Sequence, residues 1–309
     1  MFPASILKDR AAMLQRARSF FAERNILEVD CCALVPRAPL DSNIDVMSVA
    51  VTEQQRGFLH TSPEISMKRL LSSGIGDIYY LGHVFRKGEI GRKHNPEFTM
   101  AEWYRLDFSL PQMIEETCQF LFLFLGTLDV EVLTYREIFS RYLGIDYTSV
   151  SLDELKAFAK DENTTHWSRT NYLHFLLSHF IEPHLGKEGL TVVIDYPPYE
   201  AALAVVTEKN EEKVAQRFEI YHQGIELTNG YQELSDVKEL RSRFSAENKE
   251  RLASGKEAYL LDENFLVALE NNFPPCCGVS VGFDRALMLR HKKQSLSEVL
   301  PFCWSPSNL

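Results

Sequence analysis

The sequence predicts an α+β fold, an antiparallel sheet flanked by helices. Strand-like runs follow one another across short connections, as "RFEIYHQ" and "GIELT" do, instead of alternating with helices as a parallel βαβ sheet requires. Helical patterns gather around these runs, at both ends of the chain and in its middle.

In order along the chain, residues 5 to 24 read as an amphipathic helix, followed by the short apolar run "ILEV" and an irregular stretch holding Pro36 and Pro39. After Pro63 the segment "EISMKRLLSS" reads as a helix stopped by Gly74 and Gly76. "IYYLGHVF" and "EFTMAEWY" are strands joined as a long hairpin. Residues 110 to 143 are mostly helical, and 150 to 190 read as a helical insertion in a single domain spanning 1–309. Strands return at "LTVVIDY", "LAVV", "RFEIYHQ" and "GIELT"; "VKELRSRFSAENKERL" is a charged surface helix, and "CCGVSV" leads into a last helix from about 283 to 291.

The 309 residues can bury a sizeable core. The formal charge of -10 argues against a chain whose main partner is a nucleic-acid backbone. Cys31, Cys32, Cys118, Cys276, Cys277 and Cys303 form neither a C-x-x-C nor a Cys/His zinc pattern, and are expected to be reduced thiols. The first 21 residues lack the pattern of a signal peptide, and no run approaches the ~18 apolar residues of a membrane span. A soluble, cytoplasmic protein is expected.

Residues 85–105, "FRKGEIGRKHNPEFTMAEWYR", carry Arg86, Lys87, Arg92, Lys93 and His94 on one turn. Period-2 alternation then places Phe98, Met100, Glu102 and Tyr104 on one strand face. Taken alone, this also fits a core face with one stray acid and a solvated turn. Polyphosphate binding explains more: arginine grips phosphate oxygens bidentately, His94 adds a donor, and Gly88 and Gly91 let the loop fold closely over a ligand. Neither the P-loop pattern nor G-x-G-x-x-G occurs.

In "RFEIYHQGIELTNGYQELS", a two-residue turn at Gln223-Gly224 would pair Tyr221 with Glu226 and Glu219 with Thr228. Glu219 and Glu226 would then be diagonal neighbours, which suits Mg2+ shared with substrate phosphates, or two edge-strand acids facing water. In "GVSVGFDRALML", Arg285 lies in the first turn of a helix, where the dipole disfavours it; its expected partner is Asp284 or a bound phosphate.

Together these stretches resemble the class II aminoacyl-tRNA synthetase signature, lysyl branch: motif 2 in residues 85–105, motif 3 in 278–289 and motif 1 in "RSFFAERNILEVD". The similarity runs from about residue 8 to 300, and "TSPEISMKRLL" and the stretch around "YLLDENFLVALENNFPPCCG" share it. It implies ATP- and Mg2+-dependent formation of an aminoacyl adenylate by a homodimer. By resemblance, Arg86 contacts the α-phosphate and the reactive carboxylate, His94 and Arg285 the distal phosphates, and Phe98 the adenine. Lys87, Gly88, Asn95, Leu227 and Gly282 line the nucleotide site, and Glu219 and Glu226 hold the metal. Ser62, Pro63, Glu64, Glu102, Tyr104, Asn229, Glu233 and Ser280 form a pocket for a lysine-like amino acid.

The N-terminal OB-fold that reads an anticodon needs on the order of 100 residues, and the motif 1 helix begins within the first ten. The chain therefore resembles the truncated paralogues of this branch, which attach (R)-β-lysine to a lysine of elongation factor P, and no anticodon contact is expected. Departures are Cys32 in place of the motif 1 proline, Gly88 where motif 2 has an acid, with Glu89 one place later, and Ser280 where Gly or Ala is usual. Activation of α-lysine for another acceptor, and an inactive regulatory paralogue, are the alternatives. His60, His83 and His166 belong to no motif.

Overall fold

We describe residues 2–39, 44–159 and 167–304 of a computed structural model; His166 lies outside them. Helix α1 (Ala4–Ala22) buries Ile6, Met13, Ala17, Phe20 and Phe21, a stripe at helical spacing. Short strands β1 (Leu27–Glu28), β2 (Leu34–Val35), β3 (Met47–Ala50) and β4 (Arg56–Leu59) follow. The last three form a small antiparallel sheet in the order β2-β4-β3, in the stretch expected to be irregular. Helix α2 (Glu64–Leu71) turns Met67, Lys68 and Leu71 inward. Strands β5 (Ile78–Phe85) and β6 (Glu97–Leu106) pair in continuous antiparallel register from Ile78↔Tyr104 to Phe85↔Glu97, as the hairpin reading requires. Helix α3 (Leu110–Leu125) opens with a capping box between Ser109 and Gln112 and ends at Gly126.

Residues 110–143 are not continuously helical: β7 (Val130–Thr134) separates α3 from α4 (Tyr135–Leu143). The β-branched "VEVLT" favours a strand there, and Thr134 restarts the helix by accepting from the Glu137 amide. Helices α5 (Leu152–Ala159) and α6 (Arg169–Leu176) lie in the stretch 150–190 expected to be helical. Strands β8 (Leu190–Tyr196), β9 (Val206–Lys209), β10 (Glu212–His222) and β11 (Ile225–Gln232) come next. Of the expected strand "LAVV", only Val206 is in β9. The chain closes with α7 (Val237–Ala253), α8 (Glu263–Asn272), β12 (Cys276–Gly282) and α9 (Phe283–Arg290).

Two compact units result, one from residues 1–126 and 232–309, the other from 127–231. In the first, β6 pairs antiparallel with both β5 and β12, and β1 joins β5 in parallel. One face of β6 packs Trp103 against Phe21 and Phe120 from α1 and α3; burying each such ring is worth about 2–3 kcal/mol. The opposite face carries Met100 and Tyr104, packed with Met67 and Leu71 of α2 and Val84 of β5.

In the second unit, β10 pairs antiparallel with β8, β9 and β11, and β7 joins β8 in parallel. Its core gathers Tyr135, Ile138 and Phe139 of α4 with Tyr172 and Leu176 of α6 and Val193 and Tyr196 of β8.

Candidate active site

An acidic cluster forms on the α2-facing side of β6. Glu102 is buried and accepts hydrogen bonds from Ser62 Oγ at 2.6 Å and Tyr104 Oη at 2.9 Å. Both donors are neutral, so burial dominates: together with the charges of Glu64 and Glu233 it pushes the Glu102 carboxyl up to about 8, the two hydrogen bonds offsetting only part. Helix α2 begins at Pro63, which places Glu64 in the first turn, where the dipole favours an acid. One turn later Lys68 Nζ reaches Glu64 Oε1 at 2.6 Å and Glu233 Oε2 at 2.5 Å. Burial works against the Lys68 ammonium, but the two carboxylates outweigh it and hold it well above the lysine range. Burial also raises Glu233, against the pull of Lys68.

The backbone around this cluster leaves little slack. Gly278 pairs with Tyr104 in the β6–β12 ladder, and a Cβ there would collide with the Tyr104 ring and the Glu233 carboxylate. Ser280 pairs with Glu102, which puts it on the same face.

The basic loop forms a second cluster in the same unit. Arg86 lies over the Phe98 ring at 5.2 Å and is 3.7 Å from Glu89, and its buried Nε has no hydrogen-bond partner. The acid expected two residues after Arg86 thus sits one place later and still reaches it, because Gly88 takes a left-handed turn at φ 80. Arg285 donates to His94 Nε2 at 2.8 Å and to the Lys93 carbonyl at 3.2 Å. Burial, and then the neighbouring Arg285, lowers the His94 pKa. Of the two partners expected for Arg285, Asp284 is ruled out: it is buried under Arg10 and accepts from the Thr99 amide at 2.7 Å. Lys87 is exposed, its amide bound to the Asp45 carbonyl, and Gly282 caps α9 with room around it. The Asn95 side chain donates to the Glu97 carbonyl and accepts from Cys303 and Trp304, so it braces the loop.

In the second unit, Gln223 and Gly224 form the expected two-residue turn, both at positive φ (50 and 68), and Tyr221 pairs with Glu226. The next expected pair is corrected. A bulge adds Leu227 between Glu226 and Thr228, so Thr228 faces Ile220 and Glu219 faces Asn229. Glu219 stays on the Tyr221 face and accepts from Tyr221, from Tyr196 at 2.6 Å and from Arg217. Arg217 Nε also donates to Asn229 Oδ1 at 3.1 Å, and Asn229 donates to Tyr231 Oη at 2.7 Å. Burial, followed by Glu219, raises the Tyr221 phenol, and Glu226 adds to the effect.

Lys68 and Arg217 lie within stretches quoted above, but the sequence reading gave neither a role. The signal for Lys68 was present: it shares the helical stripe of Met67 and Leu71, and it follows Glu64 by four residues. Arg217 alternates with Glu219 and Tyr221 along β10, which marks the face but not the partner.

The class is settled by comparison with known proteins. The family described as tRNA synthetases class II (D, K and N) matches residues 3–305, and the chain belongs to it. Among curated relatives, a Haemophilus influenzae protein is 38% identical over 311 residues, covering 97% of this chain and 96% of its own length. One from Photorhabdus laumondii is 38% identical over 309 residues (97% and 94%), and one from Hamiltonella defensa 36% over 310 (97% and 95%). All three are named elongation factor P–(R)-β-lysine ligase.

Proposed function

We propose that this chain is an ATP-dependent ligase that activates (R)-β-lysine as its adenylate and transfers it to the ε-amino group of a lysine on elongation factor P. The near full-length similarity to ligases of that name supports the reading. The observation that carries it within the structure is Glu102, a buried carboxylate that meets only neutral donors and so awaits a cation.

In the first step an oxygen of the amino-acid carboxylate attacks the α-phosphorus of ATP, and the bond to the β-phosphate oxygen breaks to release pyrophosphate. Arg86, with its unpartnered Nε, fits the α-phosphate and the incoming carboxylate; Arg285 and His94 fit the distal phosphates. Adenine would lie against Phe98, and Lys87, Gly88, Asn95, Leu227 and Gly282 line the nucleotide site. In the second step the acceptor amine attacks the carbonyl carbon and AMP leaves. Catalysis consists of positioning and charge neutralisation, with no covalent enzyme nucleophile.

Mg2+ characteristically takes one or two carboxylates and leaves the rest of its shell to phosphate and water. Glu219 and Glu226 suit that role, although Glu219 already accepts three hydrogen bonds. When bound, the metal would supply positive charge to the phosphates. Asn229 joins Ser62, Pro63, Glu64, Glu102, Tyr104, Glu233 and Ser280 as amino-acid contacts. The chain would act as one catalytic domain in a homodimer, in the cytoplasm as a modifier of a translation factor requires.

The test is intact-protein mass spectrometry of elongation factor P incubated with this protein, ATP, Mg2+ and (R)-β-lysine or α-lysine, with tRNA as a parallel acceptor. A one-lysyl gain on elongation factor P, larger with the β-isomer, is expected. Modification of tRNA alone, or of neither acceptor, overturns the reading.

A further inference from the structure

We propose that Lys68 is a positioning residue that sets the charge of the amino-acid pocket: it locks Glu64 and Glu233 together and leaves Glu102 and the outer oxygen of Glu64 to receive the two ammonium groups of a diamine. The inference rests on the function proposed above and extends it to a residue outside the amino-acid contacts named there.

The geometry carries it. Glu64, Glu102 and Glu233 gather on one side of β6, and Lys68 is the one cation paired with any of them among the described residues. Lys68 and Glu233 are both only 1% exposed as side chains, so this pair is sealed, while Glu64 keeps 24% exposure and a second oxygen beyond the one Lys68 holds. Three carboxylates against one ammonium leave a net charge of about -2 when all are ionised. A diaminocarboxylic acid brings two ammonium groups to that side and its carboxylate to Arg86, so the charges match. Without Lys68 the pocket would hold three acids, two of them buried, and one too many charges for its ligand, and a proton would take the place of the missing cation.

The other titratable groups facing the cluster do not supply that charge. Tyr104 from β6 and Cys276 from β12 are both raised by burial, the tyrosine well above its ordinary range. Tyr80 from β5 is pushed up to about 12, and Cys31, which follows β1, to about 11. All four are neutral at physiological pH. Asp30 and Asp77 add only negative charge at the edge of the cluster.

The experiment is amino-acid-dependent ATP–pyrophosphate exchange with wild type, Lys68→Met and Lys68→Arg across pH. For Lys68→Met the KM for (R)-β-lysine should rise about tenfold or more, with the KM for ATP unchanged and the acidic limb of kcat/KM moved to higher pH. Lys68→Arg keeps the charge but replaces a point donor by a planar fork, so its KM for the amino acid should rise about fivefold while the pH limb stays at the wild-type position. An unchanged amino-acid KM in either folded variant overturns the proposal, as does an equal loss toward ATP and amino acid. Should wild type exchange neither lysine isomer, the function reading fails by itself. Nitrogen-15 NMR of the wild-type protein then decides: Lys68 Nζ protons protected from exchange at about pH 9 sustain the locked pair, and a freely exchanging, titrating Lys68 overturns it.

Discussion

Ser280 stands directly opposite Glu102 in the β6–β12 ladder, on the face that carries the acidic cluster. Directly paired side chains lie roughly 5 Å apart at Cβ, so the size of residue 280 sets how closely an amine can approach the Glu102 carboxylate. Ser280→Gly should lower the preference for β- over α-lysine, by about fivefold in the ratio of kcat/KM values, since a methylene's worth of space is worth ~1 kcal/mol. Parallel exchange assays with the two isomers measure it, and an unmoved ratio would remove Ser280 from the specificity argument.

Burial pushes Glu102 up to about 8 against a reference value of 4.5, so if it receives the substrate ammonium as proposed, amino-acid binding would depend on pH. Because the folded pKa is the higher one, the native state binds the extra proton between those values. The contribution of Glu102 to stability is therefore fully present below about pH 4.5 and lost as pH rises toward 8. Ammonium binding expels that proton. Affinity for the amino acid should accordingly increase from pH 6.5 to 8.5, by up to about tenfold per pH unit on the acid side. Calorimetry in buffers of different ionisation enthalpy should detect the released proton, and Glu102→Gln should abolish its release.

The cations of the basic loop should separate by kinetic role. If Arg285 holds the distal phosphates as proposed, Arg285→Ala would remove a contact present before and during reaction, so the KM for ATP should rise about tenfold with a smaller change in kcat. If Arg86 meets the α-phosphate and carboxylate as proposed, Arg86→Ala should lower kcat by about 10²–10³. If both variants change KM alone, Arg86 is a binding group and nothing more.

Asp284 ties three elements together through Arg10 of α1 and the Thr99 amide of β6 while sitting at the start of α9. Burial raises its pKa and Arg10 opposes that. Asp284→Ala strands a guanidinium and an amide and should cost about 3–5 kcal/mol, measured by urea unfolding. Arg10→Met with Asp284→Leu should recover part of it, because both charges are removed together while the Thr99 amide still loses its acceptor.

The hairpin β5–β6 and the turn at Gln223-Gly224 were legible because each follows from alternation and from residues that favour a left-handed turn. The bulge at Leu227 was not, since the phase of a hydrogen-bond ladder is not written in residue types. Strand β7 was missed although its β-branched residues favour a strand, because its five residues sit between two helical patterns. The motif residues Glu102, Tyr104 and Glu233 could be read as one amine pocket. Lys68 was overlooked although it shares the stripe of Met67 and Leu71, because a lysine four residues after Glu64 also suits a surface pair and its other partner, Glu233, is distant in sequence. Asp284 illustrates the same limit: its neighbour Arg285 was the obvious partner, and Arg10, some 274 positions away, is the real one.

The Arg92 carbonyl receives the Leu296 amide at 2.8 Å, and the Asn95 side chain receives the Trp304 amide at 2.9 Å. During synthesis the loop bearing Arg86 and His94 therefore leaves the ribosome some two hundred residues before the segment that braces it. If that loop binds ATP as proposed, nucleotide recognition would be a late event in biogenesis, and a chain stalled before residue 296 should display the basic loop without the segment that braces it.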